Sequence, residues 1–332
     1  MTKKGFTLVE LIGVIAILGV LAVFAIPALT KTLKKSSDKE YEEFVKNITL
    51  AAENYFHSET DGKIMTNSKK FIKVQDLKDA GYLKNNVNPL TNTNVSNDAT
   101  VIITKNADGV EKYEFVDKDV TTDGYASGRV IHYDGYNEPQ NGYLIDLTSN
   151  HIDAEITNIT WNNSFYNFNG TSYAKFSSSL ALPVSYSLVI KAPYQESNVV
   201  FGDINTNAAF GFYSLDNKMY GIASSGTVQS AKYKMFDLTN YPFDQITSIQ
   251  LVYTSSNIEL YINGKSVTSV NNINYWTWTD NYSYLGGRPQ NGGLNSLFSG
   301  NIYSFVAYNK ALTTDEIKQN YEVDKYRFGA GE

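Results

Sequence analysis

Hydrophobic and polar positions divide the chain into stretches of different period. Residues 11–29 are apolar throughout and carry no charge. At ~1.5 Å rise per residue, a helix over this run approaches the ~30 Å hydrocarbon thickness of a bilayer, so a membrane helix is expected. Pro27, late in the run, deletes one backbone hydrogen bond and predicts a kink or local unwinding. From Ser37 onward, Tyr41, Phe44, Val45, Ile48, Ala51, Ala52, Tyr55 and Phe56 recur on one helical face, which predicts an amphipathic helix ending near Asp61-Gly62. Residues 71–83 read as a short strand or turn followed by a small helix that stops at Gly81. Two strand-like runs, Thr100-Val101-Ile102-Ile103-Thr104 and Lys112-Tyr113-Glu114-Phe115-Val116, flank the hairpin signal Asn106-Ala107-Asp108-Gly109. A helix on a small antiparallel sheet follows from this order.

Past the short polar segment Thr121-Thr122-Asp123-Gly124 the pattern changes. Strand-like runs recur between Gly, Asn and Asp turns with no long helical period. Examples are Arg129-Val130-Ile131-His132-Tyr133-Asp134, Ser185-Tyr186-Ser187-Leu188-Val189-Ile190 and Ile249-Gln250-Leu251-Val252-Tyr253. Many short strands bounded by turn residues predict an all-β sandwich or jelly roll. The fold class expected for the whole chain is therefore α+β, a long N-terminal helix with a small sheet ahead of a jelly roll.

Glu10, immediately ahead of the apolar run, sharpens the N-terminal picture. An ionised carboxylate beside an apolar helix costs on the order of 2 kcal/mol or more unless it is paired. Cleavage between Gly5 and Phe6 would create an amine one helical turn away, able to neutralise Glu10 between neighbouring subunits stacked in register. Met1-Thr2-Lys3-Lys4-Gly5 is too short for an ordinary secretory leader. The string Lys3-Lys4-Gly5-Phe6-Thr7-Leu8-Val9-Glu10-Leu11 followed by an apolar helix resembles the class III leader of type IV pilins and pseudopilins. The resemblance implies that a prepilin peptidase cuts after Gly5 and methylates Phe6. It also implies that Glu10 and Pro27 serve assembly, that the leader starts in the cytoplasm, and that the protein moves from the cell membrane to a surface filament. Lys31, Lys34 and Lys35 compete with Lys3 and Lys4, so charge alone does not set the orientation.

Composition narrows the compartment. The chain has 332 residues with no cysteine, 25 Tyr, 17 Phe and 19% charged residues. It therefore has no disulfide framework, thiolate metal site or Cys nucleophile, which as an extracytoplasmic composition fits a Gram-positive bacterium. A formal net charge of -6 and the lack of a basic tract argue against direct nucleic-acid binding.

The second half carries its own resemblance. Leu251-Val252-Tyr253, Ile258-Glu259-Leu260-Tyr261-Ile262-Asn263-Gly264-Lys265, Tyr284-Leu285-Gly286-Gly287-Arg288 and the stretch 298–317 follow in the order of a laminin G-like, concanavalin A-like jelly roll. The expected organisation is a leader at 1–5, a helix at 6–60 that spans the membrane to about 29, and a small β domain at 61–120. A linker at 121–127, the jelly roll at 128–325 and a tail at 326–332 complete it.

Catalysis is not expected. Glycoside hydrolysis requires paired carboxylates at ~5–5.5 Å or ~6.5–9.5 Å across a sugar, and no strand offers them at alternate positions. None of His57, His132 and His151 sits in a nucleophile setting. No cofactor is implied. Calcium alone has a case, from oxygen-rich loops, with Asp203, Asp216 and Asp280 as candidate ligands, although Tyr303 stands where members of that family often carry an acid. Trp276 and Trp278, alternate residues of one segment, and the nearby Tyr282 are candidates for stacking on a glycan or gripping a host or matrix protein. The resulting expectation is a minor pilin or pseudopilin, in a surface filament or secretion pseudopilus, that displays the jelly roll for adhesion. Its partners would be the peptidase, other pilin subunits, the assembly machinery and the membrane. The alternatives are a tethered binding protein that never polymerises and, further off, a glycan-active enzyme.

Overall fold

A computed structural model of the chain describes residues 8–60, 62–84, 86–177, 184–192, 198–203, 208–215, 218–224, 233–241, 243–271, 282–290, 293–295 and 297–332. The first element, α1 (Leu8–Glu59), is one helix of 52 residues. It is continuous through Pro27, where loosening was expected, because one missing hydrogen bond is too little to end an element of this length. Its two halves differ. Leu8, Val9, Leu11, Ile12, Val14, Ile15, Ile17 and Leu18 are exposed, whereas Ile48, Ala51, Ala52 and Phe56 are buried. Among the described residues no helix is long and apolar enough to cross a membrane. The side chains at 19–22 and 24–33, the middle of the apolar run, lie outside the described residues.

The buried half of α1 packs on a three-stranded antiparallel sheet with Thr100–Lys105 between Ser68–Lys73 and Glu111–Val116. The short helix α2 (Val74–Asp79) contributes Val74 and Leu77 to the same core, with Val101 and Ile103 from the central strand. Alternation along the strand sends Ile102 to the opposite face, where it meets Phe71, Val116, Val120 and Tyr326.

The jelly roll is a sandwich of two sheets. One contains, in order, Lys265–Asn271, Asn257–Ile262, Thr247–Tyr253, Val184–Lys191, Ser299–Tyr308, Tyr166–Asn169 and Thr160–Trp161, with Arg129–Asp134 also on Ser299–Tyr308. The other runs Tyr233–Asp237, Lys218–Ser224, Ala208–Leu215, Asn198–Asp203, Tyr282–Leu285, Tyr173–Ser177, Ala154–Thr157 and Tyr143–Leu144. Tyr186, Leu188, Ile190, Ile249, Leu251 and Phe305 from the first sheet meet Phe201, Phe210, Phe212 and Leu285 from the second in one core. Each fully buried aliphatic or aromatic side chain contributes about 1.5–3 kcal/mol.

The central strands Thr247–Tyr253 and Val184–Lys191 of the first sheet are buried on both faces because a third helix, α3 (Thr314–Phe328), lies over the outer one. Thr313 and Glu316 form a capping box at its start and Gly329 closes it in the left-handed conformation, at φ 75°. Residues 326–332, expected as a tail, are packed instead: Arg327, Phe328 and Ala330 are buried. The expected polar linker is likewise part of the fold. Gly124, Tyr125 and Ala126 are buried, and any side chain at 124 would collide with the Asp119 carbonyl. Helix α3 supplies partners for the linker backbone, with Asn320 accepting from the Ala126 amide at 2.8 Å and Gln319 donating to the Gly124 carbonyl at 2.8 Å, while the Gly331 amide donates to the Ile246 carbonyl at 2.9 Å.

Candidate binding site

Helix α3 covers the middle of the first sheet's outer face, whereas the second sheet presents an outward face on which strand alternation sets which side chains meet solvent. Ala174 and Phe176 point into the core, so Tyr173 and Lys175 point out; Leu285 points in and Tyr284 lies on the outer face opposite Lys175. Tyr282, opposite Ser177, is 42% exposed. The Lys175 ammonium sits 4.1 Å from the centre of its ring, a cation–π contact along the diagonal of the ladder. Tyr173 and Tyr284 lie 6.1 Å apart at 54°, and Tyr143, also exposed, pairs with Glu155 on the adjacent strand. A fixed aromatic face bordered by an ammonium and a carboxylate can stack on a sugar ring and hydrogen-bond its hydroxyls, or hold a protein side chain.

A second, polar hollow of about 350 Å³ is formed by Asn167, Lys191, Asp244, Ser299, Gly300 and Asn301. Asn167 donates to the Asn301 amide oxygen at 2.9 Å.

The structure brings only part of the expected constellation into view. Tyr282 stands on the outward sheet as described. Trp276, Trp278, Asp216 and Asp280 lie outside the described residues, and Asp203 ends the strand Asn198–Asp203 with its side chain also outside them. Gly5 and Phe6 are outside them as well; Glu10 and Pro27 belong to α1, but their side chains are not described. Among the described residues no cluster of three or more His, Asp or Glu is placed to hold a metal ion. Tyr303, at the position noted for its missing acid, is buried against Phe165 and Phe328 at 5.2 and 5.9 Å.

The strongest electrostatics lie elsewhere, under α3. Arg327 donates from Nη2 to the Asp134 carboxylate at 2.6 Å, with both groups buried, and its guanidinium stacks 4.3 Å from the Phe71 ring. Burial pushes the Asp134 carboxyl upward, but Arg327 and His132 overcome this and hold it at about 2. Asp324 accepts from Tyr125 and Ser248 hydroxyls at 2.6 Å each. There burial prevails and pushes the carboxyl up to about 7. His132, packed on Tyr125 at 5.1 Å and 3.6 Å from Asp134, has its pKa lowered by burial. These groups fasten α3; none addresses solvent as a nucleophile or acid. Sequence reading passed over Asp134 and Asp324, and took Arg327 for part of a tail. Their signal was polar residues at 320, 324 and 327, spaced to share one helical face with Ile317.

Residues 1–26 match the model of the prokaryotic N-terminal methylation motif, and residues 168–318 match that of the concanavalin A-like lectin/glucanases superfamily. The chain joins a prepilin-type motif to a concanavalin A-like domain. No catalytic family is indicated, and no curated protein matches the chain. Among solved structures, a botulinum neurotoxin serotype D binding domain is similar at 15% identity and TM-score 0.45, over 59% of this chain and 51% of that one. The botulinum neurotoxin type G receptor binding domain gives 16% identity and TM-score 0.45, over 60% and 52%. Domain 4 of a GH43 extracellular arabinanase from Geobacillus stearothermophilus, solved with arabinotriose, gives 19% identity and TM-score 0.44, over 57% and 96%. The chain spans about half the length of the neurotoxin domains it matches.

Proposed function

We propose that this chain is a pilin-like subunit that carries a binding domain on a surface filament or a secretion pseudopilus. In this reading the apolar run at 11–29 holds the precursor in the cell membrane, a prepilin peptidase cuts after Gly5, and Phe6 becomes the methylated terminus. Glu10 then pairs with the Phe6 amine of a neighbouring subunit while the assembly machinery draws the helix into a bundle. What carries the reading is the methylation motif at the head of a single helix whose first half exposes its apolar side chains and whose second half is the core of a folded domain. A jelly roll on every subunit would crowd a filament, which favours a minor or tip position.

The outward sheet is the binding face, with Tyr282 and Lys175 at its centre and Trp276 and Trp278 just upstream in the chain; the ligand is a glycan or a protein side-chain surface. No cofactor enters the reading. Calcium at Asp203, Asp216 or Asp280 is tested by repeating a glycan and matrix-protein array with the ion removed.

Glu10→Ala tests the assembly half. The variant is expected to lose its leader normally and to be missing from sheared filaments on immunoblots. Undiminished incorporation would overturn the pairing and leave a membrane-tethered binding protein as the better description.

A further inference from the structure

We propose that α3 is a strut that locks the jelly roll to the small sheet, so that a pull on the binding domain reaches α1 through packed side chains and not through the chain at 117–128. The helix is two-sided. Ile317, Asn320, Asp324 and Arg327, three or four residues apart, share one face and are buried. From that face Asp324 accepts from the Ser248 hydroxyl at 2.6 Å and Arg327 donates to Asp134 at 2.6 Å, both partners belonging to the jelly roll. Gln319, Glu322 and Tyr326 recur at the same spacing on the opposite face. Glu322 meets the Lys118 ammonium at 2.7 Å, just past the last strand of the small sheet. Tyr326 joins Phe71, Ile102 and Val116 on the face of that sheet turned away from α1, and its carbonyl accepts from the Lys69 ammonium at 2.8 Å.

Two further ties lie beside the helix. The Phe71 ring of the small sheet has the Arg327 guanidinium 4.3 Å from its centre and the Tyr136 ring 5.8 Å away, both from the far side of the junction. In the turn before the strand Tyr166–Asn169, the Asn163 amide donates to the Thr66 carbonyl at 3.2 Å. Domains joined by a short connection and few contacts move against each other by default. Here directed polar bonds and an apolar cluster hold one junction together, which removes that freedom. Drawn out, the chain at 117–128 would span at most roughly 40 Å. While the strut holds, that slack is not released. A binding face kept at a fixed angle to α1 loses its orientational freedom on folding, before any ligand arrives. This consequence for a filament rests on the pilin-like reading above; the strut itself does not.

The chain has no cysteine, so Lys39→Cys on α1 and Lys265→Cys on the jelly roll, both at exposed positions, give two attachment points for optical tweezers on the full-length chain in detergent micelles. With only these handles, the first lengthening is expected to be the unfolding of a whole domain. Phe71→Ala combined with Tyr326→Ala should add an earlier step of at most roughly 40 Å at lower force, far shorter than the unfolding of either domain. Neither side chain belongs to the core under α1 or to the core between the jelly-roll sheets, so circular dichroism of the double variant should match that of the natural chain. An early step of this size without the two alanines would overturn the proposal, whether or not the double variant folds. So would a folded double variant whose trace lacks the step. Glu10→Ala should pull like the natural chain, so failure of the strut and failure of the assembly reading are told apart.

Discussion

The two long helices of this protein treat their side chains in opposite ways. The first half of α1 exposes Leu8, Leu11, Ile12, Ile15 and Leu18, apolar groups that remain more than half exposed among the described residues. Helix α3 buries Asn320, Asp324 and Arg327, polar groups that each find partners inside it. Exposing this much apolar surface is unfavourable in water, which is why the proposed function sets the first half of α1 against lipid or other subunits. Burying charge is unfavourable without pairing, so α3 makes sense only in one docked position. One helix is built for contacts between molecules and the other for contacts within one.

The largest expected effect tests that division by paired substitutions. Arg327→Ala leaves Asp134 buried and uncompensated, and urea unfolding of the full chain in detergent should show about 3–5 kcal/mol of lost stability. Ile15→Lys, on an exposed position of α1, should leave the same unfolding curve within about 0.5 kcal/mol while removing the protein from filaments. Equal losses from both changes would erase the contrast between the helices.

A pH series sharpens it. The folded Asp324 carboxyl is raised to about 7 from an unfolded value of about 3.9, so the folded state binds the extra proton and stability declines as pH rises from about 4 through 7. Asp134 acts in the opposite sense: its folded value of about 2 adds stability above about 3.9 that is lost as pH falls toward 2. Unfolding measured between pH 4 and 8 should show the decline in the natural chain and a flatter profile in Asp324→Asn. An unchanged slope in that variant would mean another group carries the dependence.

The smallest effect concerns the start of α3. Thr313→Ala removes the hydroxyl that accepts from the Glu316 amide at 3.3 Å and should cost about 1 kcal/mol in the same assay.

These differences also explain what was legible in the sequence. Strands such as Arg129–Asp134, Thr100–Lys105 and Glu111–Val116 were readable because short runs rich in β-branched and aromatic residues are local signals and their turns carry Asn, Asp and Gly. The long helix was readable for the same reason at its own period. Helix α3 was not, since its buried face mixes Ile317 and Val323 with Asn320, Asp324 and Arg327, which reads as a solvated stretch. The spacing of Thr313 and Glu316 was the local signal that could have found it. Tyr282 was placed on the candidate face from its neighbourhood in the chain. Its ammonium partner, Lys175, is more than a hundred residues away in sequence and comes into contact only through strand register.

The division between the helices rests on the first half of α1 being prepared for burial among other subunits, and the mass of the mature chain isolated from its host's surface tests this most directly. A terminus at Phe6 carrying one added methyl group is the predicted result. Mature protein that still begins at Met1 would contradict it.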